Sequence, residues 1–288
     1  MGEDSKHHTY RCPFNYIGSK SRLLPTLLPF FKRANKDRVL VDLFAGGFSV
    51  GVTAPNSEVV YNDINHDLKC LIELIYSMRF EEFNGLLLEK IDHYDLSKSN
   101  SDAFYRLRDD FNRRRDSILF CLLIFYSFNH QIRYNQKGKF NTPFGKNRSS
   151  YNASICNKLE TFSNLLRRKR VEFSSLDYAE MTIAPNSIVY ADPPYVLSTG
   201  SYNDGKRGVS SWDESHELKL YEYLDSLNEQ SIPFVLSNML RQGSRNNQLL
   251  DAWQKKYTMT RVDSSYRNYQ RKDYSTLEVI VTNMRDEL

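Results

Sequence analysis

Asp192, Pro193, Pro194 and Tyr195 stand in a row in "SIVYADPPYVL", and together they suit chemistry on a weakly nucleophilic amine. An amine conjugated to an aromatic ring, such as the exocyclic amine of adenine, has its lone pair delocalised into the ring. A site that makes it attack should accept hydrogen bonds from both of its hydrogens, so that the nitrogen pyramidalises. Asp192 offers one acceptor and the Pro193 carbonyl another. The prolines restrict that carbonyl and present no competing N–H. Tyr195 supplies an aromatic face on which an unstacked base can rest. A plain proline-rich strand end would account for Pro193 and Pro194 but leave Asp192 and Tyr195 to chance.

A second group lies in "DRVLVDLFAGGFSVG", where the apolar run from Val39 to Val41 breaks into Gly46 and Gly47. Glycines at a strand-to-helix turn let a ligand approach the backbone, which suits an adenosyl group or a phosphate. The GxGxxG spacing of a dinucleotide site and the GK[ST] of a P-loop are both missing. A tight turn without a ligand is the alternative. Asp63 ends "EVVYND" about twenty residues after Asp42, the separation of successive strands in a βαβ unit. Its carboxylate can accept both hydroxyls of a ribose; an Asx turn in the polar "NDINHD" is the other reading.

Elements must position these residues. Short strand patterns recur in "VEFSSLD", "SIVYADPP", "PFVLSN" and "LEVIVTN". Between residues 68 and 166 the texture is long amphipathic helices, "LKCLIELIYSMRFEEFNGLLLEKI" and "DAFYRLRDDFNRRRD", and a polar, aromatic loop around 129 to 150. The expected fold is α/β, a nucleotide-type sheet interrupted after its second strand by a mostly helical insertion. That divides the chain into a discontinuous unit, 1–67 and 167–288, and an inserted one, 68–166. The first ten residues are polar and expected to be loose.

Composition narrows the classes. With 288 residues and 40% hydrophobic content the chain can bury a sizeable core. Its 39 Lys and Arg against 35 Asp and Glu give a charge of +4, a mild basic bias compatible with a polyanionic partner. Cys12, Cys70, Cys121 and Cys156 form no CxxC pair, so buried thiols in a reducing compartment are expected, and the six histidines show no metal spacing. The apolar run "SILFCLLIFYSF" is too short to cross a bilayer, so a soluble, cytoplasmic protein with no membrane partner is expected.

In order along the chain, "FNYIGSKSRLLP", "VDLFAGGFSVG", "NDIN", "FSSLD", "VYADPPY" and "LSNML" resemble the DNA adenine N6-methyltransferases of the Dam type, above all the short bacteriophage members. The resemblance covers nearly the whole chain from Phe14. It implies a Rossmann-like S-adenosylmethionine-dependent methyltransferase sheet with a helical target-recognition insertion, and no metal. It places Tyr16, Lys20, Asp42, Phe44, Ala45, Gly46, Gly47, Asp63, Leu176 and Asp177 at the cofactor and Asp192, Pro193, Pro194 and Tyr195 at the catalytic positions. Asp177 also suits a cap on the turn that follows it.

The resemblance extends to "NHQIRYNQKGKFNTPFGKNRS", which looks like that family's base-reading loop. Arg133 can pair with guanine and Asn135 with adenine, while Pro143 and Phe144 can meet a thymine methyl. Lys137, Lys139, Lys146 and Arg148 can neutralise phosphates. Asn129 and Gln131 lie in the same loop but depart from the residues common there in the phage members, and Asn15 stands where cellular members carry a lysine. A solvated polar hairpin is the alternative. The basic runs "NRRRD" and "LLRRKRVEF" are assigned no site.

The expected partner is double-stranded DNA, bound by a monomer or weak dimer, with GATC as the expected site and a cognate restriction endonuclease as a companion. Transfer to cytosine N4, relaxed site specificity, an RNA or protein substrate, and a non-catalytic DNA-binding module are the rival readings.

Overall fold

The computed structural model describes residues 12–14, 20–197, 212–262 and 276–285. The apolar runs form one sheet: β1 (Val39–Asp42), β2 (Glu58–Asn62), β3 (Arg170–Ser174), β4 (Ser187–Ala191), β5 (Phe234–Gln242), β6 (Arg245–Asn246), β7 (Thr258–Val262) and β8 (Thr276–Thr282). Their order is β3-β2-β1-β4-β5-β8-β7, with β6 paired to β5. The first five strands in that order are parallel, and β8 runs antiparallel to both of its neighbours. All five residues of β4 are buried, as expected of a central parallel strand covered on both faces.

Strand alternation sorts side chains between two layers. Leu40, Ile188, Tyr190, Val235 and Ile280 join the core built with α1 (Leu24–Arg33), α2 (Ser49–Thr53), α3 (His66–Ser77), α4 (Phe80–Tyr94), α5 (Ser101–Arg114), α6 (Ser117–Tyr126) and α7 (Ala153–Leu166). Val41, Val189, Ala191, Leu236 and Val281 face the opposite layer, with α8 (Glu214–Glu229) and α9 (Gln248–Trp253). α6 is apolar on every side and buried from Ile118 to Tyr126, so it forms the centre of the helical layer. No helix among the described residues is long and apolar enough to cross a membrane.

The apolar pattern from Leu68 to Ile91 reads as one helix, but the structure divides it. Met78 is extended (φ −128°, ψ 161°), and α4 restarts where the Glu82 carboxylate accepts the Arg79 N–H at 3.4 Å. Arg167 donates to the Tyr76 and Met78 carbonyls freed at the end of α3. Part of one basic run thus closes a helix terminus, and Lys169 from the same run donates to the Asn56 carbonyl at 2.7 Å.

β2 and β3 are added on one side of β1, β4 and β5 on the other. The chain therefore reverses its order between β1 and β4, and such a reversal leaves a crevice at the carboxyl ends of the two strands. β1 ends there in Asp42, and β4 runs directly into Asp192.

Candidate active site

The Asp192 carboxylate, 15% exposed, receives the Lys20 ammonium at 2.8 Å. Lys20 is itself only 6% exposed and sits 4.8 Å from the centre of the Tyr195 ring, whose hydroxyl donates to Asp192 Oδ1 at 3.3 Å. Lys20 reaches this point from the turn Lys20–Arg22, just before α1. Burial pushes the Asp192 pKa up, and Lys20 opposes it. Tyr195 is pushed well up by burial and by the Asp192 charge. Asp192 and Tyr195 converge, and Lys20, which the resemblance placed at the cofactor, is buried against both.

Two further carboxylates surround the cluster. Asp42, 2% exposed, accepts the Gly51 N–H at 3.2 Å, and burial followed by the nearby Asp192 charge holds its pKa well above the usual range. Glu278 lies on β8 opposite Met239, two residues from Ile280 and therefore on the same face as Ile280 and Tyr190. Its pKa is raised by burial and by Asp192, with Lys20 opposing. Sequence reasoning passed over Glu278. The available signal was a carboxylate in phase with the inward-facing Ile280 of "LEVIVTN".

Each of these acids holds its proton more tightly in the folded chain than in the unfolded one. The folded state therefore binds the extra protons above the unfolded carboxylate pKa of about 4, and stability falls as pH rises through the elevated values. Asp42→Asn is expected to flatten that fall in thermal melts taken from acid to neutral pH; an unchanged slope would mean that Asp42 titrates as an ordinary carboxylate.

The glycine loop is built on Asp63. Its Oδ2 accepts the Gly46 N–H and its Oδ1 the Asn65 N–H, both at 2.8 Å, and the residue is 5% exposed. It follows β2 directly. Gly46 takes φ +48°, where an L-residue is disfavoured. The Gly46 carbonyl accepts from the Tyr61 hydroxyl at 3.1 Å, and the Ala45 N–H donates to the Asn62 carbonyl at 2.8 Å. Cys12 closes over Gly47, with its thiol 3.1 Å from the Gly47 carbonyl, and a Cβ on Gly47 would meet that sulfur at 2.8 Å. Gly51, which the sequence reading gave no role, is equally constrained: a Cβ there would fall 2.0 Å from the buried Phe48 ring. Of the four cysteines, none of them in a disulfide, only Cys121 is fully buried; Cys12, Cys70 and Cys156 are half-buried, a correction to the expectation of four buried thiols.

Phe44 packs 5.4 Å from the Tyr178 ring and 5.8 Å from Trp212, an aromatic group the sequence reading did not identify. Asn62 holds the crevice wall together: its amide donates to the Leu43 and Leu176 carbonyls and its oxygen accepts the Leu176 N–H. Leu176 is thereby fixed beside the glycine loop with 44% of its surface exposed. Asp177 accepts the Ala179 N–H and caps the turn Tyr178–Glu180, the alternative that its position suggested. Tyr16, like Asn15, lies outside the described residues.

The polar loop is a braced hairpin. Tyr134 and Phe140 bridge, as do Ser127 and Phe144, and Gly138 makes the turn at φ +67°. Asn135 Oδ1 accepts the Lys137 and Lys139 N–H groups, so it caps this turn. Arg133 donates to both the side chain and the carbonyl of Asn141. The Ser127 bridge turns Phe144 inward, where its ring lies 5.3 Å from Phe104 and only 8% of the residue is exposed; it is a core residue here. Gln131 is half-buried, its carbonyl accepting from Ser127 and Thr142. Asn129, Arg133, Lys137, Lys139, Pro143, Lys146 and Arg148 face solvent, which leaves a predominantly basic rim.

A family model for the D12 class N6 adenine-specific DNA methyltransferases matches residues 16–268. The chain is 36% identical over 289 residues to the Type II methyltransferase M.FokI of Planomicrobium okeanokoites, covering 98% of this chain and 44% of the relative. It is 34% identical over 282 residues to the modification methylase StsI of Streptococcus sanguinis, covering 95% and 43%. The DNA adenine methylase of Escherichia coli K12 is 28% identical over 235 residues, 79% of this chain and 80% of the relative. The chain thus spans under half the length of the first two.

Proposed function

The chain belongs to the D12 class of N6 adenine-specific DNA methyltransferases, and from that premise we propose that it methylates adenine N6 in duplex DNA at a defined sequence. The observation that carries this reading is the convergence of Asp192, Tyr195 and Lys20 at the switch point, beside a glycine loop held by Asp63. The donor set suits a sulfonium cofactor: among the described residues Asp192 pairs with Lys20, and Asp42 and Glu278 each feel the Asp192 charge, so a cation is favoured there over an anionic phosphate. Asp63 and the backbone of Gly46 and Gly47 would hold its ribose side, and the exposed Leu176 and Phe44 its adenine. When bound, S-adenosylmethionine supplies an electrophilic methyl group.

The chain's own residues do the rest. Asp192 accepts one amine hydrogen of the target base and the Pro193 carbonyl the other, which turns the lone pair outward. Tyr195 stacks against the extruded base. Lys20 keeps Asp192 oriented and compensates its charge in the absence of bulk water. As the N–C bond forms and the methyl–sulfur bond breaks, the reacting amine would gain a positive charge that Asp192 is placed to stabilise, and loss of one amine proton would then leave the neutral methylated base.

Residues 68–166 form the target-recognition unit in this reading, and 1–67 with 167–288 the catalytic one. Arg133 and its basic neighbours meet the duplex. The similarity to modification methylases supports a role in protecting DNA beside a cognate restriction endonuclease, in the cytoplasm, with GATC the first sequence to test.

Transfer of labelled methyl from S-adenosylmethionine to a panel of duplexes decides the matter. Label recovered as N6-methyladenine only from duplexes sharing one short sequence is the expected result. Label on cytosine would replace the base assignment, incorporation on every duplex would sink sequence specificity, and incorporation only with GATC present would fix the site.

A further inference from the structure

We propose that Tyr134 is a positioning residue that joins the recognition hairpin to the cofactor loop, so that cofactor and duplex favour each other's binding. This rests on the reading of the hairpin as the duplex-facing element and of the glycine loop as the cofactor-facing one.

Tyr134 stands between Arg133 and Asn135, and its side chain points away from theirs into the protein, leaving 2% of the residue exposed. Its hydroxyl donates to Asp67 Oδ2 at 2.8 Å and lies 3.4 Å from Asn65 Oδ1. Arg115, at the end of α5, donates to the same Asp67 oxygen at 2.8 Å and with its other nitrogen to the Gly138 carbonyl at the hairpin turn. One carboxylate on the first turn of α3 therefore holds the hairpin both at the strand pair and at the turn. Asn65 caps α3 by accepting the Leu68 N–H, and its own N–H donates to Asp63, which holds Gly46 through its second oxygen.

The path from Arg133 to Gly46 thus consists of one phenol, the first turn of a helix and one buried carboxylate. The phenol therefore ties the hairpin to the corner between β2 and α3, and Asn65 and Asp63 tie that corner to the amide that defines the glycine loop. Two ligands that each require the same geometry of this corner share the cost of ordering it, and the coupling must be reciprocal. In "NDINHD" Asp63 serves the loop, Asn65 the helix and Asp67 the hairpin.

Tyr134→Phe tests this with little risk to the fold. The ring keeps its contact with Phe140, and Asp67 keeps Arg115, so neither a cavity nor an unpaired buried charge is created. Binding of a duplex that the wild type methylates is measured with and without S-adenosylhomocysteine, and cofactor binding with and without that duplex. The wild type is expected to show tightening of about fivefold or more in both directions. Tyr134→Phe is expected to show less than twofold, with the affinity for S-adenosylhomocysteine alone unchanged. Asp67→Asn, which weakens the phenol bond and also the Arg115 tie to the hairpin turn, should lower the coupling at least as far as Tyr134→Phe does.

A purely structural hydroxyl would lower melting temperature and leave the coupling intact, and that outcome overturns the proposal. So does a wild type whose two ligands bind independently. A wild type that binds and methylates no duplex fails earlier, at the functional reading, and takes the proposal with it.

Discussion

Asp192→Asn is expected to transfer methyl about a hundred- to a thousandfold more slowly, the order of cost of removing one preorganised group from a developing charge, and to weaken S-adenosylmethionine binding only a few-fold through the lost carboxylate charge. The substitution is close to isosteric. The asparagine oxygen can still accept from Lys20 at the position of the 2.8 Å contact, so the ammonium is not stranded. What is lost is the negative charge facing the target amine, and the new NH2 group presents donors where the amine needs an acceptor. Asp192→Ala is the poorer experiment, because it leaves Lys20, only 6% exposed, without its carboxylate. Single-turnover transfer together with cofactor affinity measures the effect. A rate within fivefold of wild type, with cofactor affinity intact, would remove Asp192 from the chemistry and shift attention to Asp42 and Glu278.

The second large effect is on stability. Asp63→Ala deletes both acceptors of the Gly46 and Asn65 amides in a site that is 5% exposed. Hydrogen bonds to a charged acceptor contribute about 1.5–3 kcal/mol each, so the loss is about 3–6 kcal/mol. Few single substitutions cost more. Asp63→Asn keeps one acceptor of the two and should fall between the wild type and alanine. Because Gly46 would lose the contact that fixes its left-handed turn, cofactor binding should weaken even in the fraction that folds. Urea unfolding and cofactor titration measure the two effects separately. An Asp63→Ala midpoint equal to wild type would mean that the loop holds its shape without the carboxylate.

The motifs at strand ends were legible in the sequence because parallel α/β sheets collect chemistry there. β1 is a short apolar run ending in Asp42, β4 runs directly into Asp192, and β2 runs directly into Asp63. Such runs can lie only in a doubly covered sheet, and the residues following them can lie only at its carboxyl edge. The helical region was legible in kind and not in division. Its apolar pattern continues across Met78, where the extended backbone separates α3 from α4.

The hairpin was least legible. Polar and aromatic residues in a loop satisfy a surface reading and a buried one equally well, and only the strand bridges decide which way each side chain points. Phe144 faces Phe104, Tyr134 faces Asp67, and Arg133, the residue before Tyr134, remains at the surface.

By itself the sequence determined the family and the α/β class, because these depend on residue type and on spacing within single strands and turns. The tertiary structure alone decided that Lys20 compensates Asp192, that Glu278 joins them from β8, and that Asp67 holds the hairpin through Tyr134. These partners lie far apart along the chain. No local pattern links them, since their proximity comes from the order of strands across the sheet and from the way alternation turns Glu278 and Tyr134 inward.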